Sequence, residues 1–294
     1  MPKLAAFPKC FMIELCETRT MTIFEWIDLA SELGVDGLEL YPGFFLNYQR
    51  PYLNKVKSAM AAKGLTAPMF CVSPDFTHPE ASVRHLEIEK YRKILDVVSF
   101  FGGETCRILS GQAHPSVSRQ QGVTWVLECF HEVLHDAAAR KITLVMENHY
   151  KDNFWNYPEF AQPHDIFLEI VEQVDSPWFG VNYDPSNAFL AGEDPLELLE
   201  AVKERVVCMH ASDRYLKPGV TLADIKKQDG AKGYSDLMSH GVIGQGLNNF
   251  DTIFSSLKSV GFDGWVSIED GMNGMGELKE SVQFLRSKFA QYWR

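Results

Sequence analysis

Three carboxylates and one imidazole stand at the ends of four successive apolar runs. Glu147 closes ITLVME, Asp184 closes FGVNYD, His210 lies one residue inside the end of VVCMHA, and Glu269 closes GWVSIE. Such a hard, oxygen-rich donor set suits a hard or borderline divalent ion, Mn²⁺ first, with Mg²⁺ or Co²⁺ next. A structural zinc site would bring thiolates, and no cysteine closes any of these runs. An ion held there, with coordination positions left for two adjacent substrate oxygens, polarises a carbonyl and lowers the barrier to removing the proton beside it. His149 follows Glu147 by two residues, so it shares that side chain's face if the strand continues through it. A neutral imidazole suits the role of general base better than a carboxylate tied to a metal.

Other polar residues are placed to assist. Asp213 and Arg214 follow His210 closely; Asp213 is expected to orient that imidazole and Arg214 to bind an anionic or polyhydroxyl substrate. Lys151 and His114, at loop starts, are further candidates for substrate contact, as is Trp155, which stands with Phe154 and Tyr157 in an aromatic loop suited to stacking on a sugar ring. Asn182, like Glu14 and Arg107, interrupts an apolar run and is expected to support the ligands from behind. Glu39 and Tyr41 alternate with Leu38 and Leu40 and so face inward. An inward charge needs a partner, and Glu14 or Glu39 with Arg107 is the expected ion pair.

The elements that must position these residues alternate along the whole chain. Predicted strands run Phe11–Cys16, Asp36–Tyr41, Leu65–Val72, Glu104–Ser110, Ile142–Glu147, Phe179–Asp184, Val206–Ala211 and Gly264–Glu269. Predicted helices fall between them, at Ile23–Leu33, Ala81–Phe101, Thr124–Ala139, Ile166–Val174, Leu196–Val202 and Leu278–Tyr292. Eight strands alternating with helices over 294 residues imply a (β/α)₈ TIM barrel, one domain spanning residues 1–294, whose strand ends converge on one catalytic face. The first strand–helix turn lacks G-x-G-x-x-G, so a dinucleotide-binding sheet has no local support. Two long connections, Tyr150–Pro163 and Ser212–Leu247, both follow a strand and lie over that mouth.

Composition narrows the function classes. With Lys+Arg 28 against Asp+Glu 39, the net charge is −11, and no basic run is present to meet a phosphate backbone, which argues against nucleic acid. The cysteines Cys10, Cys16, Cys71, Cys106, Cys129 and Cys208 are scattered without a C-x-x-C pair and read as reduced thiols of a cytoplasmic protein. No apolar run approaches the length of a membrane span or a signal-peptide core, so no membrane partner is expected.

The segments VMENHY, GVNYDPSN, VVCMHASDR and WVSIEDG resemble those of the xylose-isomerase-like barrel superfamily, which includes the sugar phosphate isomerase/epimerase family, ketose 3-epimerases, inosose dehydratases and endonuclease IV. The resemblance implies that Glu147, Asp184, His210 and Glu269 are the shared metal ligands. It also implies, from the ketose 3-epimerases, that Glu147 and Glu269 face each other across the sugar and exchange its proton. The expected activity is a metal-dependent sugar isomerase or epimerase acting next to a carbonyl of a sugar or keto-sugar. The alternative is a lyase of the C-glycoside deglycosidase type, which resembles this layout in pairing a metal with a histidine base to eliminate the aglycone from a 3-keto glycoside. An apurinic endonuclease is remote: Asn187 stands where a further histidine is needed, and the tail lacks an Asp-x-His pair. The expected partners are a small-molecule substrate and a second copy of the chain in a homo-oligomer, with docking of a small second subunit on Ser212–Leu247 left open.

Overall fold

The computed structural model describes residues 1–152, 154–225, 227, 235–269 and 271–293. Part of the Ser212–Leu247 connection, residues 226 and 228–234, lies outside the described residues, as do residue 153 of the aromatic loop and residue 270.

Eight parallel strands form the barrel wall: β1 (Lys3–Ala6), β2 (Gly37–Leu38), β3 (Met69–Phe70), β4 (Thr105–Ile108), β5 (Thr143–Glu147), β6 (Phe179–Tyr183), β7 (Val206–Ala211) and β10 (Trp265–Ile268). A two-stranded antiparallel hairpin, β8 (Arg214–Leu216) with β9 (Met238–His240), is inserted after β7. The order β2-β1-β10-β7-β6-β5-β4-β3 leaves a seam between β2 and β3, spanned by the parallel bridges Gly37↔Thr66 and Leu40↔Phe70. The chain is a (β/α)₈ TIM barrel. Among the described residues, no helix is long and apolar enough to cross a membrane.

Local chemistry explains the helices. Thr22 and Glu25 form a reciprocal capping box at the start of Ile23–Ala30, as Ser118 and Gln121 do for Arg119–Ala139, and each cap contributes about 1 kcal/mol. Helix Ala81–Phe101 buries Ile88, Tyr91, Leu95 and Val98, the i, i+3, i+7, i+10 stripe of an amphipathic helix, and stops at Gly102 in the left-handed region. Strands covered by helices on the outside read as continuous apolar runs because both faces are buried. Leu144, Val145 and Met146 are fully buried accordingly.

One predicted element is wrong. Phe11–Cys16 is not a strand; Lys9–Phe11 is a 3₁₀ turn and Met12–Cys16 an α-helix. The first strand is Lys3–Ala6, whose Leu4, Ala5 and Ala6 are fully buried. The run FMIELC is apolar without alternating: Leu15 is buried while Ile13 is exposed, the pattern of a short surface helix. The small residues of KLAA carry little strand propensity and are held by their pairing with β10 and β2.

Candidate metal and sugar site

Register brings the four ligand-type residues to one level. Glu147 ends β5 opposite Asn182 of β6, two residues before Asp184; His210 of β7 lies opposite Ser267 of β10, two residues before Glu269. Alternation of side chains then turns all four inward. One ligating atom from each lies within 4.8 Å of the others, and all four residues are buried. Asn148 locks the neighbouring strand ends by donating to the Asp184 carbonyl at 2.6 Å and accepting the Asp184 N–H at 2.9 Å.

Each ligand is held from behind. His210 directs Nδ1 at Glu147 Oε1 (3.1 Å) and Glu269 Oε2 (3.5 Å), while its Nε2 meets Glu39 Oε1 at 2.9 Å. Arg107 donates from Nη1 to Glu147 Oε2 at 2.7 Å and from Nη2 to Ser73 Oγ at 2.9 Å, and Asn187 donates to Glu147 Oε1 at 3.2 Å. Asp184 is also the N-cap of helix Pro185–Leu190: its Oδ1 accepts the N–H groups of Ser186 and Asn187 at 2.9 and 3.1 Å. Asp184 Oδ2 and Glu269 Oε2 are buried without a hydrogen-bond partner. A buried carboxylate oxygen in that state is costly unless a cation meets it, so the donor set fits a divalent ion.

The electrostatics agree. Burial raises the Asp184 carboxyl to about 7, and the negative charges of Glu269 and Glu147 add to that rise. Burial disfavours the charged form of His210, but Glu39, Glu147 and Glu269 outweigh it and hold the imidazole well above its ordinary range. Burial also disfavours the Glu147 carboxylate, yet His210 and Arg107 keep it well below the usual range. Protons on Asp184 and His210 therefore offset charge that a bound cation would neutralise.

Above this cluster opens a cavity of about 460 Å³, lined among others by Lys9, Tyr41, Arg107, His149, Lys151 and Glu269. The ring of His149 stacks on Tyr150 (centroids 5.0 Å apart) and burial pushes it down to about 4, so it is neutral near pH 7. Its Nδ1 faces the buried Glu159 Oε2 at 4.0 Å, and neither atom has a hydrogen-bond partner. Lys9 reaches Glu269 Oε2 at 3.5 Å.

Several sequence expectations are corrected. Asp213 does not orient His210: its carboxylate accepts the backbone N–H groups of Arg214, Gly244, Gly246 and Asn248 and organises the loop after β9, and Glu39 holds the imidazole instead. The expected Glu14 or Glu39 pair with Arg107 is replaced by Arg107–Glu147 and Glu39–His210, while Glu14 lines the cavity from its helix. Arg214 is buried, donating to Ser186 Oγ at 3.2 Å and lying over the Tyr150 ring, so it stiffens the wall. His114 meets Asp75 Oδ2 at 2.9 Å and ties loops together. Trp155 lines a neighbouring cavity, and Lys151 lines this one. Asn182 is fully buried in β6, with neither side-chain polar atom hydrogen-bonded. Sequence reasoning missed Lys9, hidden by the misplaced first strand, and Glu159, which no periodicity marks.

A model of the xylose isomerase-like TIM barrel family matches residues 27–288. The chain is 30% identical over 100 residues to 3-oxo-isoapionate decarboxylase from Pectobacterium atrosepticum, 34% of this chain and 32% of that protein. It spans only 39% and 32% of the lengths of the two curated relatives it matches. Among solved structures it superposes on the IolI protein with a binding zinc atom (TM-score 0.76, 14% identity, 99% of both chains). It also superposes on 3-keto-D-glucoside 4-epimerase from E. coli (TM-score 0.69, 16% identity, 98% of this chain and 100% of that one). The chain belongs to the xylose isomerase-like TIM barrel family.

Proposed function

We propose that this member of the xylose isomerase-like family is a divalent-metal-dependent isomerase or epimerase that removes a proton next to a carbonyl of a sugar or keto-sugar. The observation that carries the reading is the buried set Glu147, Asp184, His210 and Glu269, with Asp184 Oδ2 and Glu269 Oε2 unpartnered beneath a polar cavity. Mn²⁺ ranks first for three carboxylates and one imidazole. When bound, such an ion lowers the cost of the negative charge left on a substrate carbonyl as the neighbouring proton departs.

The chain's own residues supply the rest. Neutral His149 on the cavity wall accepts the proton. Glu147, bound by Arg107, Asn187 and His210, has its lone pairs committed and serves as a fixed negative charge. Lys9 and Lys151 present cationic donors to substrate hydroxyls. The cavity volume suits a monosaccharide-sized molecule. The printed names of the decarboxylase and the epimerase contain a 3-oxo and a 3-keto group, which supports a keto-sugar. Elimination of an aglycone from a 3-keto glycoside is the second reading, favoured by the place of His149 on the wall of the same cavity.

The test is proton exchange in D₂O, followed by NMR, on ketoses, ketose phosphates and 3-keto glycosides with Mn²⁺ present. Deuterium is expected at one carbon beside the carbonyl, and not in Glu147→Gln. Inversion or carbonyl migration identifies an epimerase or isomerase; release of aglycone, lost in His149→Phe, identifies the lyase. Absence of exchange across the panel, with the metal bound, overturns the proposal.

A further inference from the structure

A second cavity of about 570 Å³ adjoins the first, and Tyr41, Asp152 and Phe154 belong to the walls of both. Its chemistry is different. Val72, Pro74, Ile94 and Val97 line it, together with the rings of Tyr48 and Trp155. Of its charged members, Lys90 is paired with Glu87 at 2.6 Å. The hydroxyl of Tyr91 is spent on the Arg107 carbonyl at 2.8 Å, so this ring offers the cavity carbon rather than oxygen. Tyr48 and Phe154 remain 46% and 58% exposed, large rings left at the edge of a hole instead of packed into the core. Asp152 stands at the partition, fixed by Ser73 Oγ at 2.7 Å and by the Phe154 N–H at 2.9 Å. Ser73 in turn accepts from Arg107, which holds Glu147.

A polar compartment over the ligand cluster and an apolar, ring-lined one share a wall. We infer that the second cavity is a subsite for a flat apolar group carried by the substrate, so that the substrate is an aryl glycoside with its sugar over the ligand cluster and its aryl ring between Tyr48, Trp155 and Val97. The inference rests on the sugar reading of the first cavity. A free monosaccharide has no apolar part to fill such a space, and a phosphate there would meet the Asp152 carboxylate and an apolar lining that cannot solvate it. Ring faces and ring-sized walls select a flat group over a branched one.

The experiment is calorimetric or NMR titration of the full chain, with Mn²⁺, against phenyl and methyl β-glucosides and β-galactosides. None carries a keto group, so binding is read without turnover. The phenyl glycoside of the preferred sugar is expected to bind about tenfold tighter or more, the return from burying one ring. Val97→Phe fills the subsite from helix Ala81–Phe101 and removes the preference while leaving methyl glycoside binding unchanged. Ile94→Phe does the same from the neighbouring turn. Equal binding of phenyl and methyl glycosides, binding of neither, or a preference that survives in both folded variants overturns the inference. A phenyl preference without proton exchange on any keto-sugar sinks the isomerase reading and leaves the subsite standing. Exchange on a methyl 3-keto glycoside without a phenyl preference does the reverse.

Discussion

Glu39→Gln tests whether His210 is a ligand tuned from behind. Glu39 Oε1 and His210 Nε2 are 2.9 Å apart and both side chains are fully buried, so no water takes over the contact. Glutamine preserves shape and an acceptor oxygen but removes the charge that makes the imidazole basic at Nδ1, the atom facing Glu147 and Glu269. Loss of such a carboxylate behind a ligating histidine costs about 10- to 100-fold in metal affinity, on the order of 1.4–2.7 kcal/mol. The sign with pH follows from the metal-free state. There His210 holds its proton well above the ordinary range, and Glu39 is the first of the carboxylates that raise it. A metal must displace that proton, so in the wild type affinity falls as pH drops. In Glu39→Gln the proton is held less tightly and competes less. The full deficit is therefore expected at high pH and a smaller one at low pH. Mn²⁺ titration followed by the free-ion EPR signal, from about pH 6 to 9, reads both quantities, with circular dichroism to verify the fold. Unchanged affinity at high pH would refute the role given to Glu39, and a deficit that widens on acidification would refute the protonated metal-free state.

Two further perturbations probe the wall of the site. Burial pushes the Glu159 carboxyl from 4.5 up to about 8, so between those values the folded state binds more protons than the unfolded chain and stability falls as pH rises through the window. Glu159→Gln, which keeps an acceptor for the Ser110 N–H and hydroxyl, is expected to match wild type near pH 4.5 and to gain on it up to about pH 8; urea melts showing a pH-independent difference would count against the buried, protonated state. Gly111 has φ +119°, and a Cβ there would lie 2.7 Å from both Asp75 Oδ1 and the Thr77 backbone nitrogen. Gly111→Ala is therefore expected to lose about 1–3 kcal/mol, and an unchanged denaturation midpoint would show that this turn relaxes freely.

What was legible in the sequence follows from where the information resides. The ends of β5, β6, β7 and β10 are marked by a change from apolar to ligand-type residues, and parallel register converts those four positions into one cluster. That inference needs only alternation and the closure of a barrel. The support behind the cluster obeys no such local rule. Arg107 faces two glutamates in principle, and the sequence offers no means of preferring Glu147 over Glu39; the choice is made because β4 and β5 are neighbours in the sheet, with Arg107 opposite Val145, while Glu39 stands across the interior beside His210. Asp213 is close to His210 in sequence, but the hairpin β8–β9 that follows brings back four N–H groups for its carboxylate, so proximity along the chain misleads. Lys9 reaches Glu269 because β1 and β10 are paired although they lie at opposite ends of the chain. The ligands were readable because each is an event on its own strand. Their partners are events between strands, and a charge inside a barrel takes the nearest counter-charge in register rather than the nearest one in sequence.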